Sequence, residues 1–174
     1  MNNEVERDEI LKNMADLCSK YRGIIIHETI FIETGIDLLI SGYFTNNDKI
    51  RSEDLHILIA HKSSGISFSS KFQILSYLLN THFIDFKKKH PKFLKSLDDL
   101  MNIRNKVAHR RMLVPEKIID FDNDTIHLYW SSTKKGRFVM ETEILNSKVI
   151  SDFIDSKNKI YHQLNELIDL AENR

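Results

Sequence analysis

The sequence has few of the residues that cross-link a chain or turn it sharply. Its 174 residues include one cysteine, Cys18, with two prolines and five glycines. A single cysteine excludes an internal disulfide and a thiolate zinc site, and it is typical of a reducing compartment. The scarcity of proline and glycine disfavours a sandwich or barrel with many tight turns and favours long helices.

An excess of one charge and long apolar runs are also lacking. The 25 basic side chains balance 25 acidic ones, so binding to nucleic acid would require a local basic patch. The polar N-terminus has neither the basic start nor the apolar run of a signal peptide. Apolar stretches such as 24–26 and 38–40 are far shorter than the roughly 20 residues that span a bilayer. We therefore expect a cytoplasmic protein without a membrane segment.

Apolar residues at steps of three and four predict five helices. Their ranges are about 4–43, 52–61, 69–82, 91–112 and 146–172. The apolar stripe of the first helix has a gap at Glu28 or Thr29. A buried carboxylate there is costly unless it is paired, so either the helix rotates and leaves Glu28 in water, or another group pairs with it. The basic run 86–90 is predicted to be a connection between helices.

After Pro115 the pattern changes to short runs rich in β-branched and aromatic residues. They predict strands at about 117–121, 125–131 and 137–143, separated by turn-forming residues. The expected fold class is mainly α. It is an antiparallel helical bundle in a single domain, 1–174, with a β-hairpin or three-stranded insertion before the last helix.

The segment 103–111, Ile-Arg-Asn-Lys-Val-Ala-His-Arg-Arg, is the most informative part of the sequence. Arg104 and His109 enclose four residues, and the polar Asn105 follows the arginine. This arrangement resembles the signature of HEPN domains, and 68–75 is similar to the helix before the motif in HEPN-like bacterial families. The resemblance covers roughly residues 5–112 and the last helix.

The HEPN resemblance implies a homodimeric, metal-independent endoribonuclease that leaves 2′,3′-cyclic phosphate ends, with a role as a toxin or in phage defence. Its implied partners are RNA and a cognate antitoxin or regulatory protein. The mannitol operon repressor family carries a similar segment, so the alternative is a non-catalytic HEPN-like regulatory or protein-binding module. HEPN toxins that a nucleotidyltransferase antitoxin modifies usually have tyrosine where this chain has Arg111, which argues against such modification.

The residue types of the motif suit RNA cleavage. A histidine such as His109 can take the proton of a ribose 2′-OH, and the guanidinium of Arg104 can bind the phosphate. Asn105 can position either His109 or the phosphate, and Glu28 is a candidate supporting acid. At about 100° per residue, Arg104 lies roughly 140° around the helix from His109. A second copy across a groove is therefore expected to supply the opposing groups.

Two basic clusters are candidate RNA-binding residues. One comprises Lys106, Arg110 and Arg111 beside the motif, and the other comprises Lys87, Lys88 and Lys89. Ordinary solvated surface is the alternative for both. Tyr129 and Trp130 could stack on bases or fill a core. The sequence has no metal-ligand cluster and no Gly-rich phosphate loop, so neither a metal nor a cofactor is expected.

Overall fold

The computed structural model describes residues 2–60, 65–114, 122–134 and 137–173. The helices are α1 (Asn2–Thr45), α2 (Lys49–Ala60), α3 (Phe68–Thr81), α4 (Ile84–Lys89), α5 (Phe93–His109) and α6 (Ser147–Glu172). The strands are β1 (Arg111–Met112), β2 (Ile126–Lys134) and β3 (Arg137–Leu145). The prediction of a mainly helical chain with a small antiparallel sheet before the last helix is confirmed.

The apolar stripe predicted for the first helix is the buried side of α1. Its buried members are Met14, Cys18, Tyr21, Ile25, Ile32, Ile36 and Leu39. At the gap in the stripe, Thr29 takes the buried position and is 2% exposed. Glu28 lies beside it, partly in water, and pairs with Lys157 at 2.5 Å. The carboxylate is thus both hydrated and paired, which removes the cost of burying it alone.

The connection from α1 to α2 depends on three consecutive polar residues. Asn46 and Asn47 adopt positive φ angles of 53° and 57°, which asparagine tolerates better than most residues and which end α1. The side chain of Asp48 then accepts a hydrogen bond from the backbone N–H of Arg51 at 3.0 Å. Because this cap satisfies a free N–H of the first turn, α2 begins at Lys49, earlier than the predicted start at 52.

The prediction of a basic connection at 86–90 was wrong, because most of this run belongs to helix α4. Phe86 is buried and its ring packs edge-on against Phe93, at 5.5 Å between centroids. Lys87, Lys88 and Lys89 occupy the last turn, where positive charge is favourable at the negative end of the helix dipole. Packing of one aromatic side chain therefore outweighs the loop-like composition of the run.

The predicted fourth helix, 91–112, is too long at both ends. Helix α5 begins at Phe93 and ends at His109, and Arg111–Met112 form β1, which pairs with Tyr129 and Leu128 of β2. The helical pattern of apolar residues does not reveal this change, since Met112 continues the spacing of the helix. The predicted strand 117–121 lies outside the described residues.

The sheet has strand order β1-β2-β3, with both pairs antiparallel. Ile126, Leu128 and Leu145 are buried on one face, called here the inner face. Every second cross-strand pair lies on the other, outer face, which consists of Arg111, His127, Tyr129, Ser131, Thr133, Phe138, Met140, Thr142 and Ile144. The alternation of buried and exposed side chains along β3 is that of a half-buried strand.

The chain divides into two compact units, and α1, α5 and α6 each contribute to both. Unit 1 comprises 1–27 and 101–155, and its buried side chains include Met14, Val107, Leu128 and Phe153. Unit 2 comprises 28–100 and 156–174. Its core holds residues from α1, α3, α5 and α6, and Gly35 allows α1 to approach Leu164 so closely that a Cβ would lie 2.6 Å from a methyl carbon.

Candidate functional site

The motif residues lie on the last two turns of α5, in unit 1. Asn105 and His109 are exposed, and Arg104 is half-buried. The Nη1 of Arg104 donates a hydrogen bond to the Oδ1 of Asn105 at 3.1 Å. Asn105 therefore positions the guanidinium of Arg104. From the sequence, Asn105 was expected to position His109 or the phosphate instead.

The alternative interpretation of the motif is purely structural: Arg104 would pair with Asp98, Asp99 or a carboxylate of the first helix, and His109 would fill a helix interface. Asp99, one candidate for pairing with Arg104, instead accepts a hydrogen bond from Lys95 at 2.8 Å. Within the described part of the chain Arg104 forms no ion pair, and the imidazole of His109 is exposed. The charge of the guanidinium is thus available to an anionic ligand.

Arg110, the residue after His109, joins the end of α5 to the sheet. Its guanidinium lies over the ring of Trp130, 3.2 Å from the centroid, and pairs with Glu143. Its side chain is only 10% exposed, and burial lowers the pKa of this guanidinium. Its backbone carbonyl accepts a hydrogen bond from Arg22 of α1. Arg110 therefore holds the end of α5 against the sheet, and its role toward RNA stays a prediction.

The other two basic residues beside the motif differ in their contacts. Lys106 pairs with Glu143 at 3.4 Å, at the rim of the inner face. Arg111 is exposed on the outer face, directly opposite Tyr129. Adjacent arginines thus lie on opposite faces of the sheet.

The loop before β2 is held to both neighbouring helices of unit 1. The hydroxyl of Tyr21 donates to the carboxylate of Asp124 at 2.7 Å, and the hydroxyl of Ser147 donates to the same carboxylate at 2.8 Å. These bonds lower the pKa of Asp124, whereas burial and the nearby carboxylate raise the pKa of Tyr21 to about 12. The sheet that follows the motif is therefore fixed to α1 and α6 as well as to α5.

The second predicted basic cluster belongs to unit 2, and each of its lysines has a hydrogen-bond or ion-pair partner within that unit. Lys87 donates to Asn80, Lys88 pairs with Asp85 at 3.1 Å, and Lys89 pairs with Glu166 at 2.8 Å. Glu28 also lies in unit 2, paired with Lys157. The structure brings the motif together with Lys106, Arg110 and Arg111. The roles toward RNA of all six basic residues and of Glu28 stay predictions.

A buried charge cluster in unit 2 was not identified from the sequence. The ammonium of Lys71 is bonded to Glu33 and Asp37, each at 2.8 Å, and both Lys71 and Asp37 are 3% exposed. Burial raises the pKa of Asp37. The position of Lys71 four residues before Leu75, on the buried side of α3, was the available signal.

Within the described residues, no group of three or more His, Cys, Asp or Glu side chains is arranged to hold a metal ion. None of the helices described is both long and apolar enough to cross a bilayer. Compared with protein-family models, with curated proteins and with solved structures, the chain has no significant match. The relation to HEPN domains accordingly stays a prediction that depends on the motif.

Proposed function

We propose that this protein is a metal-independent endoribonuclease of the HEPN type, with Arg104, Asn105 and His109 as its active-site residues. One observation supports the proposal most strongly. The three side chains are accessible at the end of α5, and Arg104 is held by the neutral amide of Asn105 rather than by a carboxylate. Binding of a phosphate requires a guanidinium that is held in one orientation and whose charge is not neutralised by a carboxylate.

The proposed reaction begins when the imidazole of His109 takes the proton of a ribose 2′-OH. The 2′ oxygen attacks the adjacent phosphorus, and the bond from phosphorus to the 5′ oxygen breaks. The 5′ oxygen leaves as a hydroxyl after taking a proton from water or from a protonated imidazole. Arg104 donates two hydrogen bonds to the phosphate oxygens as negative charge builds on them. The products are a 2′,3′-cyclic phosphate and a free 5′-OH.

A second copy of the chain completes the proposed site. Asn105 and His109 lie one turn apart on one face of α5, whereas Arg104 lies roughly 140° around the helix from His109. One helix therefore does not enclose a phosphate between these two side chains. Two copies that face each other across a groove provide an imidazole and a guanidinium from opposite sides. An activity of this kind must be restrained in the cell, so a cognate antitoxin or regulatory protein is a proposed partner.

The experiment is incubation of the purified protein with single-stranded RNA, with and without EDTA, followed by analysis of the product ends. We expect cleavage to persist in EDTA and to leave 2′,3′-cyclic phosphates and 5′-hydroxyls. A requirement for Mg²⁺, or products with 5′-phosphates, would mean that another chemistry operates. If RNA stays intact under all conditions, the proposal fails, and the non-catalytic HEPN-like module becomes the better description.

A further inference from the structure

The outer face of the sheet exposes large apolar and aromatic side chains to water. Phe138 is 88% exposed and Met140 is 64% exposed, although phenylalanine and methionine are usually buried. Tyr129 and His127 lie on the same face, so three ring-bearing side chains share it. Isolated exposed apolar residues are common, but three rings on one face of one sheet form an organised surface.

The two faces of the sheet carry different charged side chains. Both described carboxylates of β3, Glu141 and Glu143, lie on the inner face, where they accept a hydrogen bond from Ser132 and pair with Lys106 and Arg110. The outer face, in the described register, carries Arg111 and no carboxylate. Its remaining polar groups are the imidazole of His127 and the hydroxyls of Ser131, Thr133, Tyr129 and Thr142. An acidic partner is therefore not repelled there.

The outer face is also connected to the proposed active site. Only Arg110 separates exposed His109, at the end of α5, from Arg111, at the start of β1. Arg110 fixes this joint through Trp130 and Glu143, so the position of the sheet follows that of the motif helix. A chain of nucleotides that lies on the outer face with one phosphate at Arg111 would continue toward His109 within unit 1.

We propose that the outer face of the sheet binds single-stranded RNA, with bases stacked on Phe138 and Tyr129 and a backbone phosphate held by Arg111. This inference builds on the proposed ribonuclease function and names its substrate class as unpaired RNA. Stacking on aromatic side chains requires bases that are not already paired, because a duplex stacks its bases on one another. The exposed hydroxyls supply donors and acceptors for 2′-hydroxyl groups and phosphates.

The test measures binding without cleavage. All proteins carry His109→Ala, and the probe is a fluorescein-labelled oligouridine of about 12 nucleotides, followed by fluorescence anisotropy. We expect Phe138→Ala to weaken binding at least about fivefold and Phe138→Trp to retain it, since stacking is supplied by the ring. Phe44→Ala is the matched control, because it removes an exposed phenyl ring from α1 in unit 2, outside the sheet; we expect no change. Arg111→Gln should lower the salt dependence by about one phosphate contact.

Equal affinity of the parent and Phe138→Ala proteins would overturn the inference. It would also be overturned if Phe44→Ala weakened RNA binding as much as Phe138→Ala. A change of molar mass in light scattering on Phe138→Ala would overturn it too, since a second copy of the chain would then occupy the face. The proposed function fails separately. If the protein with His109 cleaves RNA equally well without the ring of Phe138 or the charge of Arg111, only the inference about the outer face is overturned. If binding depends on the ring but no cleavage is seen, only the proposed ribonuclease activity is overturned.

Discussion

At the residue scale, the contact between Arg104 and Asn105 determines what the motif can do. The amide oxygen of Asn105 accepts a hydrogen bond from the guanidinium at 3.1 Å and adds no negative charge. The remaining N–H groups of Arg104 can bind two oxygens of one phosphate at once. Lysine has a point charge and no planar fork, so it cannot reproduce this geometry.

Arg104→Lys should therefore lower the rate of RNA cleavage by at least about tenfold, although the charge is retained. The measurement is the initial rate on a labelled single-stranded RNA at saturating substrate. Arg51→Lys is the control, because Arg51 is an exposed arginine of α2 in unit 2, outside the motif. If Arg104→Lys cleaved RNA as fast as the parent protein, bidentate phosphate binding would not be its role.

The sequence predicted the types of the residues at the site but not their contacts. The spacing of Arg104 and His109 identified the motif, because a helix makes the relation between positions regular. The bond from Arg104 to Asn105, between neighbours along the chain, depends on side-chain rotamers that no periodicity specifies. The faces of the sheet on which Arg110 and Arg111 lie were also not predictable, since they depend on the residue at which α5 ends.

At the scale of elements, the junction between α5 and β1 links the motif to the sheet. The chain leaves the helix at His109 and pairs with β2 two residues later. The guanidinium of Arg110, covered by the sheet and lying on Trp130, holds the junction together. A desolvated cation–π contact of this kind contributes about 2 kcal/mol.

Arg110→Met should therefore lower the free energy of unfolding by about 1–2 kcal/mol and expose the ring of Trp130 to water. Trp130 is the single tryptophan of the chain, so its fluorescence reports this joint alone. We expect the emission maximum to shift to longer wavelength in the native protein. Arg111→Met is the matched control, because it alters the neighbouring arginine on the opposite face; an identical shift in both variants would contradict the assignment of Arg110.

Long elements were predicted well and short ones were not. The stripe of α1 and the pattern of α6 extend over many turns, so their ranges agree closely with 4–43 and 146–172. Helix α4 and strand β1 are too short to show a period. They form because Phe86 packs in a buried site against Phe93 and because β2 offers β1 a pairing edge, and neither contact appears as a period in the sequence.

At the scale of the whole molecule, the chain consists of two compact units that share three helices. Unit 1 contains the motif, the sheet and the joint between them, whereas unit 2 contains the buried Lys71 cluster. The predominance of helix followed from composition and periodicity, as did the position of the sheet before α6. The HEPN-type arrangement of the helices and the pairing of two copies stay predictions.

The proposed shared groove predicts a homodimer. Light scattering at micromolar concentration should give about twice the chain mass of 20.5 kDa. A mixture of His109→Ala and Arg104→Ala chains should regain part of the cleavage activity if one groove takes its histidine and arginine from different copies. An active protein that is strictly monomeric would contradict the shared site. If the mixed dimers recover no cleavage activity, each groove either needs both copies of each residue or takes its arginine and histidine from one copy.

The most direct test of the central claim is the rate of RNA cleavage in EDTA by His109→Ala, measured beside His162→Ala. His162 is an exposed histidine of α6 outside the motif, so both variants lose one surface imidazole. The role of His109 as the general base predicts a loss of at least about a hundredfold for His109→Ala, no loss for His162→Ala, and unchanged helical circular dichroism for both. Cleavage by His109→Ala at the rate of the parent protein, with the same cyclic phosphate ends, would contradict it.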